Sequence, residues 1–440
     1  MHKADLHHPS NRLQQKLEAI YRLRRTTTKV NWDSAAYLVL LEKLGNPHLR
    51  LPSVIHVAGT NGKGSVIAFL RSILEADGKS VHVYTSPHLI KVNERIVLAG
   101  QNISDDYLET LIDEILVLNE DAPLSFFEIM TALAFKAFAD NPADVVLLEV
   151  GMGGRLDCTN VIPDPLVTII NRISLDHTEF LGETIEAVAL EKAGIMKSGV
   201  PCVVGYQGDD DSCDEISYTL LSAARKINVS ICFCNENYSI MQQKNDFIVD
   251  KNGVRYVLPY PSMIGQHQIY NAALAVVALD EIKEKIPVSD LSIGRGVQNA
   301  CWAGRLQRLS GFDGANEIWL DCGHNDSAGS ALAVQARQWQ DDDGKPLYLI
   351  VGMLCAKDAH GFLEPLLPYV RQIHCVPISF DPAGSKSLGD FLSVNIDVEI
   401  ISHENVRVAI EKISKVEPYA RILIAGSVYL AGEVLEGLSV

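Results

Sequence analysis

The stretch Val54-Ile55-His56-Val57-Ala58-Gly59-Thr60-Asn61-Gly62-Lys63-Gly64-Ser65 decides the fold. A short apolar strand, Val54 to Ala58, runs into a glycine-rich turn, and a helix over Ser65 to Ala76 runs out of it. Such a turn aims backbone N–H groups at phosphate oxygens, and the helix N-terminus adds partial positive charge. Gly59, Thr60, Asn61, Gly62, Lys63, Gly64 and Ser65 therefore predict an ATP-binding phosphate loop. Lys63 would reach the β- and γ-phosphates and Ser65 would hold Mg²⁺. The spacing departs from the common G-x-x-x-x-G-K-[ST] pattern, because Gly59 is three residues before Gly62 and Gly64 separates Lys63 from Ser65. The competing interpretation is a glycine-rich turn with an incidental lysine. The strand before and the helix after favour the phosphate loop.

Outward from the loop, strands at Val81 to Thr85, Val145 to Val150, Val167 to Ile170 and Pro201 to Gly205 alternate with helices, which predicts a mostly parallel α/β sheet. Before the loop, two helices are expected. One carries Leu13, Leu17, Ile20 and Tyr21. The other is capped by Asp33 and carries Tyr37, Leu38, Leu41 and Leu44. The polar segment 209–261 predicts a small β-rich subdomain, with alternation near Ile231 to Phe233 and Phe247 to Val249. A helix follows from about Gln266 to Lys283. Near Asn299 the α/β pattern restarts, with strands at Ile318 to Leu320, Leu347 to Val351, Ile373 to Pro377, Val398 to Ile401 and Ile422 to Ala425. The expected organisation is thus a P-loop domain over 1–299 and a smaller Rossmann-like domain over 300–440.

The chain has 440 residues, 47% hydrophobic and 21% charged, an ordinary globular mixture large enough for two or three domains. A formal net charge of −17 argues against nucleic acid and acidic membranes as partners. No C-x-x-C pair occurs among the nine cysteines, so reduced thiols are expected. The polar N-terminus predicts no secretory leader, and the longest apolar run, Ala272 to Leu279, is too short to span a bilayer. The cytoplasm is the default expectation.

Mg²⁺ takes oxygen ligands in an octahedron. Glu149 ends an apolar strand at the carboxyl edge, where open α/β sheets bind ligands, and the loop Gly151-Met152-Gly153-Gly154-Arg155 follows it. Ser86 and His177 sit at equivalent strand ends. Taken singly, a serine or histidine is more often structural. Together around one phosphate loop they predict a site for two ions.

These segments jointly resemble the folylpolyglutamate synthases and dihydrofolate synthases, relatives of the Mur ligases. The matching segments are His56 to Ser65; Thr85-Ser86-Pro87-His88-Leu89 with Asn93-Glu94-Arg95; Phe126-Phe127-Glu128; Leu148 to Asp157; Thr159-Asn160; Leu175-Asp176-His177-Thr178; Leu181-Gly182-Glu183-Thr184; and Glu191-Lys192-Ala193-Gly194-Ile195. They continue with Gly265 to Gln268, Asn271-Ala272, Gly304-Arg305-Leu306-Gln307, Asp321, His324-Asn325 and Gly426-Ser427, in the family's order. The resemblance implies a P-loop domain followed by a Rossmann-like domain, with the active site in the cleft between them. It implies that ATP phosphorylates a carboxylate and that an amine attacks the acyl phosphate. ATP, L-glutamate, dihydropteroate and reduced folates are the implied substrates, and a monomer is expected.

By the same resemblance, Lys63 and the loop cradle the phosphates, while Ser65, Ser86, Glu149 and His177 bind Mg²⁺. Asn271 and Arg305 contact ATP, and Asp321 its ribose. Lys192 matches a lysine that is carbamylated and then helps hold metal; an unmodified lysine is the alternative. His324 lies where the second domain closes the site, and together with Lys63 and Lys192 it is a catalytic candidate. Phe127, Asp157 and Thr159 match pterin-holding positions, although Phe127 also begins an apolar helix. Ala303, Cys322 and Asp326 depart from the pattern, the acidic residue often found before Lys357 is missing, and the stretch from Asp381 to Ser387 matches loosely. Three alternatives stay open: a monofunctional folylpolyglutamate synthase, a P-loop switch without ligase activity, and a Mur-type peptidoglycan-precursor ligase. The last is less expected, because only 58 residues precede Gly59.

Overall fold

The computed structural model describes residues 6–23, 35–209, 212–310, 316–355, 357–381 and 398–438. It resolves into two compact units, Met1–Ser262 with Ile269–Cys301, and Met263–Gln268 with Trp302–Val440.

In the first unit an eight-stranded sheet is built from β1 (Ser53–Ala58), β2 (Val81–Tyr84), β3 (Ile96–Leu98), β4 (Gln101–Asn102), β5 (Val145–Glu149), β6 (Val167–Ile170), β7 (Cys202–Val204) and β8 (Ile231–Phe233). Their spatial order is β4-β3-β2-β5-β1-β6-β7-β8. All neighbours are parallel except β2–β3 and β3–β4. The parallel strands are near-continuous apolar runs because helices cover both faces. In β5, for example, every residue is buried.

The helices are α1 (Asn11–Arg22), α2 (Ala35–Lys43), α3 (Lys63–Ala76), α4 (Asp105–Asn119), α5 (Phe126–Asp140), α6 (Thr178–Leu181), α7 (Ile185–Ala193) and α8 (Ser212–Lys226). Leu13, Leu17 and Ile20 of α1 pack with Tyr37, Leu40 and Leu41 of α2 and the apolar faces of α4 and α5 in one core. A three-stranded antiparallel sheet follows, with β9 (Tyr238–Gln242), β10 (Asp246–Lys251) and β11 (Val254–Pro259) in the order β11-β10-β9. Then come α9 (Gln266–Glu281) and α10 (Asp290–Asn299), and α10 packs on α3.

The second unit holds a six-stranded sheet of order β12-β13-β17-β14-β15-β16. Its strands are β12 (Gln307–Leu309), β13 (Glu317–Leu320), β14 (Leu347–Val351), β15 (Val370–Cys375), β16 (Ile400–Ser402) and β17 (Arg421–Ala425). Only β12 runs antiparallel. The helices are α11 (Asp326–Asp342), α12 (Ala359–Leu363), α13 (Val406–Val416) and α14 (Val428–Leu438). α11 and α12 close a core over β14, β15 and β17.

The structure departs from the sequence-based expectations at several points. Leu38 is 46% exposed, whereas Leu40, one helical step from Tyr37, is buried. Asp33 lies outside the described residues, as do most of the positions from Asp381 to Ser387. The segment 209–261 is not uniformly β: α8 occupies its first part, and β8 joins the large sheet, leaving only β9 to β11 as a separate sheet. β15 starts at Val370, three residues before the expected position, and β16 at Ile400, two residues late. The short antiparallel edges β3, β4 and β12 carry too few residues to show alternation.

Candidate active site

β1 lies between β5 and β6, with Val57 opposite Glu149 and Ala58 opposite Ile170. This register brings Glu149, the last residue of β5, and Asn171, the residue after β6, to the root of the glycine loop. Gly62 caps α3 at φ 79°, a left-handed conformation that a side chain disfavours. A Cβ there would also collide with the amides of Asn171 and Asn271, at 2.3 and 2.7 Å. Thr60 N–H donates to the Arg172 carbonyl at 2.8 Å and Asn61 N–H to the same oxygen at 3.4 Å. Thr60 Oγ1 donates to Ser174 O at 3.0 Å. The backbone of Thr60 and Asn61 is thus committed to bracing the loop. The N–H groups of Lys63, Gly64 and Ser65 open the first turn of α3, where a helix N-terminus suits a phosphate.

Lys63 Nζ donates to Gly59 O at 3.1 Å and lies 4.0 Å from Glu149 Oε1. Glu149 Oε2 accepts from Ser86 N–H at 3.2 Å. Tyr84 pairs with Leu148, which carries Ser86 to the same edge. Glu149 is 5% exposed and Ser65 1%.

Lys192, near the end of α7, is 2% exposed. Burial, together with the charge of Lys63, lowers its pKa to about 7, while Asp176, Asp157 and Glu191 oppose the shift. The loop after β5 and the end of α7 meet because both carry glycine. A Cβ on Gly154 would fall 2.7 Å from Glu191 O, and one on Gly194 would fall 2.3 Å from Arg155 Cβ. Arg155 Nη2 also pairs with Glu191 Oε1 at 2.7 Å. His177 has φ 52°, and its N–H donates to Asp176 Oδ1 at 2.9 Å. Through Asp176 it borders the field around Lys192.

The three pterin candidates fall differently. The Phe127 ring lies so close to Gly151 that a Cβ there would sit 2.3 Å from Cζ, and it is tilted against Tyr84 at 6.0 Å between centroids. Ser125 and Glu128 form a capping box that starts α5 and so sets the position of Phe127. Asp157 Oδ1 accepts from Thr159 N–H at 2.9 Å and from Thr159 Oγ1 at 2.6 Å, and Oδ2 accepts from Met152 N–H at 2.9 Å. Gly151 N–H adds to these. The roughly four acceptor positions of a carboxylate are thereby taken. Asp157 therefore shapes the 151–159 loop. Burial raises its pKa, against the pull of these hydrogen bonds. Thr159 is wholly buried, and its hydroxyl also meets His56 Nε2 at 2.9 Å.

In the second unit, Asp321 follows β13. Its Oδ2 accepts from Leu306 N–H at 2.9 Å and its Oδ1 from Gly323 N–H at 2.7 Å. Arg305 immediately precedes Leu306, and its Nε is buried without a hydrogen-bond partner. His324 Nδ1 meets Cys322 O at 3.0 Å. A carbonyl only accepts, so Nδ1 carries the proton in this contact.

Among the described residues no three or more His, Cys, Asp or Glu side chains are gathered closely enough to hold a metal by themselves. This donor set fits Mg²⁺, which keeps several waters and usually binds through one or two carboxylates plus substrate phosphates. Glu149 supplies such a carboxylate beside the first turn of α3.

Comparison with known proteins settles the family. The Mur ligase middle domain model matches residues 57–279. A Bacillus subtilis dihydrofolate synthase/folylpolyglutamate synthase is 32% identical, covering 91% of this chain and 93% of its own length. The chain belongs to the folylpolyglutamate synthase/dihydrofolate synthase family of Mur ligases. A family member from Schizosaccharomyces pombe, named a probable dihydrofolate synthetase, is 31% identical over 90% of this chain and 96% of its own. Escherichia coli FolC in complex with DHPP and ADP superposes with a TM-score of 0.85 at 28% identity, covering 96% of this chain and 97% of that one. The Yersinia pestis bifunctional enzyme complexed with AMPPNP and Mn ion gives 0.84 at 29%, covering 96% and 98%. The two-unit α/β architecture expected from the sequence is that of these family structures. Within the family frame, the residues that sequence reasoning missed are Asn171, Arg172 and Ser174, which brace the loop from behind. Asn171 directly follows the strand Val167 to Ile170 and was findable by the strand-end rule that singled out Glu149.

Proposed function

We propose that the chain is an ATP-dependent amide ligase that adds L-glutamate to dihydropteroate, giving dihydrofolate, and to the glutamate tail of reduced folates. One observation carries this reading. The phosphate loop, Glu149 and the buried Lys192 gather at one sheet edge, in a chain alike over 91% of its length to an enzyme named for both reactions.

The chemistry follows from charge. A carboxylate and a triphosphate repel each other, and a carboxylate oxygen is a poor leaving group. The α3 N–H groups and Lys63 offset the repulsion. A bound divalent cation, held by Glu149 with Ser65, Ser86 and His177, would add positive charge on the phosphates. The carboxylate oxygen attacks the γ-phosphorus, ADP departs, and an acyl phosphate remains. The amine of L-glutamate then attacks the acyl carbon and phosphate leaves. The proton lost by the amine needs an acceptor, and we assign it to His324 Nε2. Asn271, Arg305 and Asp321 are assigned to ATP. The Phe127 ring is assigned to stack on the pterin.

Lys192 is suited to carbamylation, in which a neutral amine and CO₂ give a carbamate and a proton. A pKa near 7 leaves much of the amine neutral at physiological pH. The resulting anion, facing Lys63, would support a second Mg²⁺. We further propose that the enzyme acts in the cytoplasm as a monomer. The test of function supplies dihydropteroate and tetrahydrofolate separately, each with ATP and L-glutamate. Product from both supports the bifunctional reading. Product from dihydropteroate alone supports the narrower activity for which the Schizosaccharomyces pombe relative is named.

A further inference from the structure

Asn93-Glu94-Arg95 is among the segments that resemble the family, yet no step of the reaction uses it. In the structure it is the mould for the loop that follows β2. Thr85 N–H donates to Arg95 O at 3.1 Å, and Arg95 Nε donates to His88 Nδ1 at 2.8 Å. Beyond His88, three successive backbone N–H groups converge on one carboxylate. Leu89 N–H donates to Glu94 Oε2 at 2.8 Å, while the N–H groups of Ile90 and Lys91 donate to Oε1 at 3.1 and 2.8 Å. The mould is itself held, since Asn93 Nδ2 donates to Ile103 O at 2.8 Å and to Asp105 Oδ1 at 2.9 Å. Ser86 lies inside this loop, and its N–H reaches Glu149 Oε2 at 3.2 Å.

A carboxylate has two oxygens that only accept, so it can gather several N–H groups that would otherwise point apart. Hydrogen bonds to a charged acceptor are also stronger than neutral ones. Residues 85–91 form no helix or strand, so the shape of the loop depends on these contacts. We propose that Glu94 is a positioning residue for the cation: by holding the N–H groups of residues 89–91 it fixes the loop so that Ser86 meets the same cation as Glu149. Glu94 acts through Ser86 and is not itself a ligand. This rests on the assignment of Ser86 and Glu149 to the cation made above.

A purely structural anchor must be separated from this role, and cation binding does so without turnover. Glu94→Gln keeps the length of the side chain, but whichever way its amide turns, an NH₂ is set against a backbone N–H. The probes are Mn²⁺ with the non-hydrolysable analogue AMPPNP, followed by Mn²⁺ electron paramagnetic resonance, and AMPPNP alone in EDTA, followed by calorimetry. Glu94→Gln is expected to weaken the Mn²⁺–AMPPNP complex about 10-fold, as loss of an outer-shell partner does at a metal site, while AMPPNP without metal binds within about 2-fold of wild type. In a Ser86→Ala background, adding Glu94→Gln should weaken the complex no further, because the ligand it positions is gone. Thermal unfolding of each variant shows whether the fold is retained. If Glu94→Gln proves unfolded, the same measurements are made with Glu94→Asp, whose carboxylate stops one methylene short of the loop. In a folded variant, an unchanged affinity for Mn²⁺–AMPPNP, an equal loss with and without metal, or losses from the Ser86 and Glu94 substitutions that multiply, would overturn the positioning role. Wild-type affinity for Mn²⁺–AMPPNP in Ser86→Ala would instead overturn the assignment of Ser86 to the cation.

Discussion

Lys63 Nζ, from the first turn of α3, lies 4.0 Å from Glu149 Oε1 at the end of β5, with both side chains largely shielded from water. Opposite charges placed this way at a strand edge are paired while ready to be re-partnered by a triphosphate and a cation. Lys63→Ala should lower kcat/KM at least about 10²- to 10³-fold, as loss of a principal charge-stabilising donor does. The loss should be equal with dihydropteroate and with tetrahydrofolate. Retention of either activity would refute a shared ATP site.

Lys192 gives a pH dependence with a definite sign. Its pKa is lowered from 10.5 to about 7. The unfolded chain therefore holds more protons between those values. Its contribution to stability rises with pH across that window, and the full penalty of burying the charged form applies below about 7. Carbamylation needs the neutral amine, so activity should rise through an apparent pKa near 7. It should fall in CO₂-free buffer and recover with bicarbonate. A ¹³C-carbamate NMR signal from ¹³C-bicarbonate should appear in wild type and vanish in Lys192→Ala. Lys63→Met should move the titration upward, because Lys63 is among the causes of the depression.

Gly194 permits the contact between α7 and the 151–157 loop. In Gly194→Ala the new methyl would begin 2.4 Å from Arg155 Cα. Backbone must move, at a cost of about 1–3 kcal/mol. Differential scanning calorimetry should show the first unit melting several degrees lower, by the usual shift of about 2–4 °C per kcal/mol for a unit of this size. Activity should fall as well, since Lys192 shifts with the helix.

Asp157 is a loop organiser in this structure, so Asp157→Ala should lower stability and reduce turnover of dihydropteroate and tetrahydrofolate alike. It strands the N–H groups of Met152 and Thr159, each a buried donor costing about 1–3 kcal/mol when unpaired. A selective loss of dihydropteroate turnover with an unchanged Tm would instead point to a direct pterin contact.

Much of this was legible in the chain. The strand–loop–helix from Val54 to Ala76 and the apolar runs of β5, β6 and β14 carry strong local signals, because a strand buried on both faces has no polar alternative. Glu149 stood out as a charge at the end of such a run. What was not legible depends on contacts between distant segments. Nothing near Asp157 in sequence reveals that Thr159 consumes one of its oxygens and Met152 N–H the other. The depressed basicity of Lys192 arises from burial under a loop about forty residues earlier in the chain. The pairing of Asn171 with Asn271 spans 100 residues. Short edges such as Gln101–Asn102 are fixed by their partners, and their own residues say little.

The most direct test of the central claim is the release of ADP from purified protein, with the acceptor and L-glutamate supplied singly and together. The account predicts rapid release only when dihydropteroate or tetrahydrofolate is present with L-glutamate, matched one for one by amide product. ATP hydrolysis at the same rate with neither would contradict it.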